Sequence, residues 1–133
     1  MALTVIDTSV IVAILLDESE QWRYGEAIEA APVRLVSAVT RVEPAFVIEG
    51  RNREAGRERL ERFFQLIGAE IVGVTPQQAE IAVEAFRRFG RGRHRARPNI
   101  GDCFAYALAI ATEHTLLFKG DDFSHTDIRP ALP

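Results

Sequence analysis

The stretch LTVIDTSVIVAILL, residues 3–16, decides how the rest of the chain is read. LTVI is apolar and rich in β-branched residues, so it reads as a buried strand. It stops at Asp7, Thr8 and Ser9, and VIVAILL then continues apolar as a helix. Strand, tight turn and helix form the opening of an α/β unit.

The chain downstream repeats this alternation. SEQWRYGEAIEAA (19–31) reads as an amphipathic helix broken by Pro32, and VRLV (33–36) as a second strand. Ser37 stands as the N-cap of a helix over AVTRVEPAFVIEG (38–50). Its expected apolar face is Val39, Val42, Phe46 and Val47, and Pro44 is expected to kink or delay it. GRERLERFFQLIG (56–68) carries Leu60, Phe63, Phe64 and Ile67 at helical spacing, and AEIVGV (69–74) reads as a third strand. Thr75 and Pro76 supply an N-cap and a first-turn proline for a helix from Gln77. An arginine- and glycine-rich loop follows, then a helix after Asp102. TLLF (115–118) reads as a fourth strand, GDDF (120–123) as a turn, and TDIRPAL (126–132) as a short edge strand or tail. Such alternation predicts a mostly parallel sheet covered on both faces: a three-layer α/β sandwich with a short central sheet. The whole of 1–133 is expected to be one domain.

Composition narrows the function classes. With 133 residues and an apolar fraction of 47%, the chain is of globular type. No apolar run is long enough to span a bilayer. MALTVIDTS lacks a basic segment and a small-residue cleavage site, so no secretory signal is read. Cys103 is the only cysteine and excludes an internal disulfide, which fits a cytoplasmic location. A net charge of −3 argues against coating nucleic acid by bulk charge. The charge is unevenly spread, however: six arginines and His94 lie between Arg87 and Arg97, and Lys119 is the only lysine.

Most of the nineteen acidic residues lie on polar helical faces among arginines, as Glu54, Glu58 and Glu61 do. A few do not. Asp7 directly ends a buried strand; its bland reading is a helix cap, a task Thr8 or Ser9 could also perform. Glu43 shares a helical face with Val39 and Val47. Asp102 opens an apolar helix, where a negative charge gains about 0.3–1 kcal/mol from the unpaired N–H groups. Asp121 and Asp122 follow a strand, on the same edge as Asp7, and a polar turn would explain them. In a parallel sheet ligands bind beyond the carboxyl ends of the strands, so these distant residues share one edge. Three or more carboxylates converging there would repel one another unless a cation neutralised them. All-oxygen ligands favour Mg²⁺ or Mn²⁺ over zinc, and such ions serve phosphodiester chemistry.

The stretches VIDTSVIVAILL, SAVTRVEPAFVI, NIGDCFAYALA and LLFKGDDFSHTDI carry a resemblance. In order and spacing the chain resembles the PIN-domain ribonucleases, in particular the VapC-type toxins of bacterial toxin–antitoxin pairs. The likeness runs from near the first residue to near the last. It implies that Asp7, Glu43 and Asp102 are the family's first three acids, and that Asp121 or Asp122 is the fourth. It further implies that Asp7 and Asp102 hold a divalent metal, with Glu43 and the GDDF acids orienting waters or completing a second metal site. RNA, with tRNA or rRNA the expected substrates, would be cut by a metal-activated water to leave a 5′-phosphate and a 3′-hydroxyl. A cognate VapB-type antitoxin and a homodimer are implied as well.

Around this centre, Thr8 and Ser9 are candidates for substrate contact. Arg93 and Arg95, in the arginine-rich loop, are candidates for phosphate contact. Trp22 and Tyr24 could stack on bases but are expected in the core, and Cys103 is expected to be a packing residue. Three rivals are weighed. A receiver-like signalling domain would need an Asp at the end of a central strand, and AEIVGVTP offers none. A dehalogenase-type phosphatase would need an Asp where Ser9 stands. A catalytically silent PIN-like binding module would have no need of four intact acids.

Overall fold

The computed structural model describes residues 3–89, 99–120, 123, 124 and 126–132. Four strands form one sheet in the order β3-β2-β1-β4: β1 is Leu3–Ile6, β2 Val33–Ser37, β3 Glu70–Val72 and β4 Thr115–Leu117. Every pairing is parallel, with Val5 opposite Leu35 on one side and Leu116 on the other. Five helices complete the described chain: α1 (Thr8–Leu15), α2 (Gln21–Ala30), α3 (Ala38–Ile67), α4 (Pro76–Phe89) and α5 (Ile100–Thr112).

Successive strand residues point to opposite faces, and this alternation builds two cores. Val5, Leu35 and Leu116 pack against Ala82, Ala85 and Phe89 of α4 and against Ala105 and Leu108 of α5. Ile6, Val36 and Leu117 pack on the other face against α1, α2 and α3, through Ile11, Ile28, Ile48 and Leu60. The expected three layers are present. The chain steps outward from β1 to β2 to β3, then returns to the other side of β1 as β4. Helices therefore change faces at the β1/β4 pair, which opens a crevice at the carboxyl edge.

Several local expectations hold. Ser37 accepts from the Val39 N–H at 3.2 Å, and Thr75 Oγ1 accepts from the Gln78 N–H at 3.1 Å. The tail joins β4 only through a bridge between Leu116 and Pro130, so the expected edge strand shrinks to one pairing. The strand over 69–74 is likewise only Glu70–Val72, and it stands half exposed at the edge.

α3 departs most from the expectation. Pro44 neither kinks nor delays it; the only non-helical residue within the span is Arg53, at φ 50° and ψ −125°. The buried row is Thr40, Pro44 and Ile48, whereas Val42 and Phe46 are 53% and 76% exposed. The ring removes the donor for the Thr40 carbonyl, yet the backbone stays helical through this turn. Trp22 also differs from expectation, at 60% exposure. Tyr24 and Ile28 form the inner row of α2, and a residue two positions before Tyr24 faces away.

Candidate active site

At the carboxyl edge of the sheet lies an open cavity of about 310 Å³. Asp7, Thr8, Ser9, Glu18, Glu43, Asn99, Asp102 and Lys119 line it, with Val12 the one apolar contributor among the described residues. Each comes from a different local device. β1 ends at Ile6, and the Asp7 N–H donates to the Leu117 carbonyl at 3.0 Å, which joins the two central strand ends. Asp7 is then the N-cap of α1, with extended backbone at φ −86° and ψ 157°. Its Oδ2 accepts from the Ser9 N–H at 3.0 Å and the Ser9 hydroxyl at 2.6 Å. So Asp7, not Thr8 or Ser9, caps the helix.

That arrangement uses one carboxylate oxygen. The other, Oδ1, is buried and finds no hydrogen-bond partner among the described residues. Burial pushes the Asp7 pKa up to about 6; the Ser9 bonds oppose the rise and the nearby Glu43 charge adds to it. A buried, unpartnered carboxylate oxygen is costly, and a cation is the group that would offset the cost.

Asp102 is placed by the start of α5. Asn99 caps the helix: its Oδ1 accepts from the Asp102 N–H at 2.8 Å, while Asp102 Oδ2 accepts from the Asn99 N–H at 2.9 Å. This reciprocal box fixes a buried carboxylate in the first turn. The helix therefore begins at Ile100, just before Asp102 rather than after it. α5 leads into parallel β4 and runs against the strands, which brings its N-terminus to the same edge as Asp7.

Glu43 lies in the second turn of α3. The Thr8 hydroxyl donates to its Oε1 at 2.6 Å. From the other side it abuts Gly101: a methyl group at that position would overlap the carboxylate. Glycine there permits this close approach of the Glu43 carboxylate; its backbone conformation does not call for one.

Asp7, Glu43 and Asp102 thus share one cavity, though among the described residues no three acids close around a single point. Asp121, Asp122, Arg93 and Arg95 lie outside the described residues. Thr8 and Ser9 both reach the cavity, and each donates its hydroxyl proton to an acid. Cys103 is buried in the α4–α5 core, where burial raises its thiol pKa to about 11; it packs, as expected. The sequence reading missed Glu18, Lys119 and Gly101 as site residues. A larger cavity of about 390 Å³, beside Tyr24 and Phe123, has no carboxylate lining it among the described residues.

The PIN-domain profile matches residues 4–129. The chain belongs to the PIN-domain family. Within it, ribonuclease VapC30 of Mycobacterium tuberculosis is 47% identical over 130 residues, spanning 97% of this chain and 99% of that protein. Identity of that extent places the chain among the VapC ribonucleases. The PIN fold is also that of Mycobacterium tuberculosis VapC20, described as a sarcin-ricin loop cleaving toxin. The TM-score is 0.74 at 16% identity, over 96% of this chain and 99% of the other. VapBC2 of Rickettsia felis, solved bound to a DNA fragment from its promoter, aligns with TM-score 0.72 at 13% identity, over 92% and 90%. The rival folds weighed from the sequence fall with this membership.

Proposed function

We propose that this VapC-type ribonuclease is a metal-dependent endonuclease, with RNA as substrate and the Asp7–Glu43–Asp102 cavity as its active site. One observation carries the reading: Asp7 Oδ1 is buried, unpartnered among the described residues, and set in a cavity with three further acids. The donor set suits a hard divalent cation, since the acids offer oxygen ligands and, among the described residues, no His or Cys lines the cavity. When bound, Mg²⁺ or Mn²⁺ supplies the Lewis acidity that polarises a phosphodiester and lowers the pKa of water.

The chain's own residues do the rest. Asp7 and Asp102 would hold the ion, each steadied by a helix-start hydrogen bond. Thr8 fixes Glu43, whose carboxylate would accept the proton of the attacking water as the P–O3′ bond breaks, the 3′-oxygen taking its proton from solvent. Asp121 or Asp122 would add a fourth acid, and Arg93 with Arg95 would contact the RNA backbone.

Structural relatives that are toxin–antitoxin complexes support a VapB-type antitoxin as partner. A homodimer is supported by exposed apolar side chains beside the site. Val42 and Phe46 flank Glu43 on α3, and Ile100, at 73% exposure, precedes the Gly101 that Glu43 abuts. The described helices contain none long and apolar enough to cross a membrane.

The test is cleavage of a cellular RNA pool by the purified chain, with Mg²⁺ or Mn²⁺ and with EDTA, followed by mapping of the new ends. Discrete cuts bearing 5′-phosphate and 3′-hydroxyl ends, lost with EDTA and in Asp102→Asn, are expected. Cuts bearing 2′,3′-cyclic phosphates, or surviving EDTA, would contradict the metal reading.

A further inference from the structure

The active-site cavity places four acids, Asp7, Glu18, Glu43 and Asp102, around a substrate that is itself an anion. Glu18 and Lys119 have no part in the chemistry above, yet they line the same cavity. Lys119 is the only lysine of the chain and the only cation lining the cavity among the described residues.

Its position is built rather than incidental. The Lys119 N–H donates to the Ser9 hydroxyl oxygen at 2.9 Å, and that hydroxyl in turn donates to Asp7. The lysine backbone is therefore tied to the central acid through one oxygen. Its Nζ, by contrast, is held by Glu18 Oε1 at 2.6 Å, with both side chains about one-third exposed. Glu18 sits just past the end of α1, its N–H bonded to the Ala13 carbonyl at 2.8 Å. An ion pair exposed to this degree is weak and readily exchanged. The ammonium is a compact charge on a flexible four-carbon stem and can turn to another oxygen without moving the backbone.

We propose that Lys119 is the phosphate ligand of this active site, and that Glu18 occupies it until an RNA phosphate displaces the carboxylate. This rests on the ribonuclease reading, and it assigns to one pair both affinity for substrate and restraint of the free protein. A phosphate oxygen carries negative charge as the Glu18 carboxylate does, so the exchange conserves one ion pair. Glu18, once released, faces solvent.

The pair gives a signature that a structural ion pair lacks: removing Glu18 improves binding, and only when Lys119 is present. The experiment measures binding of a fluorescent single-stranded oligoribonucleotide to Asp102→Asn protein, which holds RNA without cutting it, across a salt series. Lys119→Met is expected to weaken binding about tenfold and to reduce the salt slope by about 0.7. Lys119→Arg should restore most of the affinity. Glu18→Gln should tighten binding about threefold, and have no effect in the Lys119→Met background. In the otherwise wild-type enzyme, Lys119→Met should raise KM more than it lowers kcat, with an unchanged melting temperature.

Unchanged affinity and slope in Lys119→Met, while the wild-type chain still cuts RNA, would overturn this assignment and leave the ribonuclease reading standing. Equal tightening by Glu18→Gln in both backgrounds would also overturn it, since Glu18 would then act by plain repulsion. A wild-type chain that neither binds nor cuts RNA would remove both readings together.

Discussion

Asp7 divides two tasks between its oxygens. Oδ2 caps α1 through Ser9, and Oδ1 is left buried without a partner among the described residues. Burial raises its pKa from 3.8 to about 6 in the folded chain. The folded state thus binds this proton more tightly than the unfolded one. The stabilisation is complete below about pH 4 and is lost as pH rises through about 6, amounting to about 3 kcal/mol. Metal-free protein should therefore melt at progressively lower temperature between those limits. Asp7→Asn should flatten the profile, melt higher than wild type above pH 6, and abolish cleavage; calorimetry across pH reads the first two. A second prediction concerns Gly101. Gly101→Ala pushes the Glu43 carboxylate away from its Thr8 bond, and a displacement of this size costs about 100-fold in turnover. Circular dichroism should show the fold retained. Unimpaired cleavage by Gly101→Ala would remove Glu43 from its assigned place. That Asp7, Glu43 and Asp102 share one edge was legible in the sequence because a carboxylate amid apolar neighbours stands out. Gly101, Glu18 and Lys119 were not, because only the folded chain shows what they touch.

Elements were legible where one physical signal dominated. β1, β2, α4 and the caps at Ser37 and Thr75 follow from apolar runs and side chains that accept from free N–H groups. The inner face of α3 was not legible, since the largest apolar residues, Val42 and Phe46, point outward while Thr40, Pro44 and Ile48 face the sheet. Hydrophobicity alone marks what must be covered, not what covers it. If a second copy covers that face, Phe46→Asp should shift the protein from dimer to monomer in light scattering. It should change monomer stability by less than about 0.5 kcal/mol, as surface substitutions do. A large loss of stability would mean that Phe46 packs within its own chain. At the start of α5, the Asn99–Asp102 box fixes both a helix end and an acid. Asn99→Ala should cost about 1 kcal/mol in urea denaturation but lower cleavage only slightly, because the backbone N–H of residue 99 still holds Asp102 Oδ2.

At the scale of the molecule, a four-stranded parallel sheet with a core on each face holds the ends of β1 and β4 together. The chain's two halves deliver their acids to that edge: Asp7 and Glu43 from the first, Asp102 from the second. Topology, not proximity in sequence, makes the site. Bringing these charges together costs stability that a bound cation would return. Mg²⁺ at about 100 times its dissociation constant should therefore stabilise the fold by about 2.7 kcal/mol, with EDTA reversing the gain. Anomalous diffraction from a Mn²⁺-soaked crystal tests whether Asp7 Oδ1 is a metal ligand. A manganese peak within bonding distance of Asp7 Oδ1 and an oxygen of Asp102 is the predicted result. A metal-loaded crystal with its peak elsewhere, and Asp7 Oδ1 still unpartnered, would contradict the account.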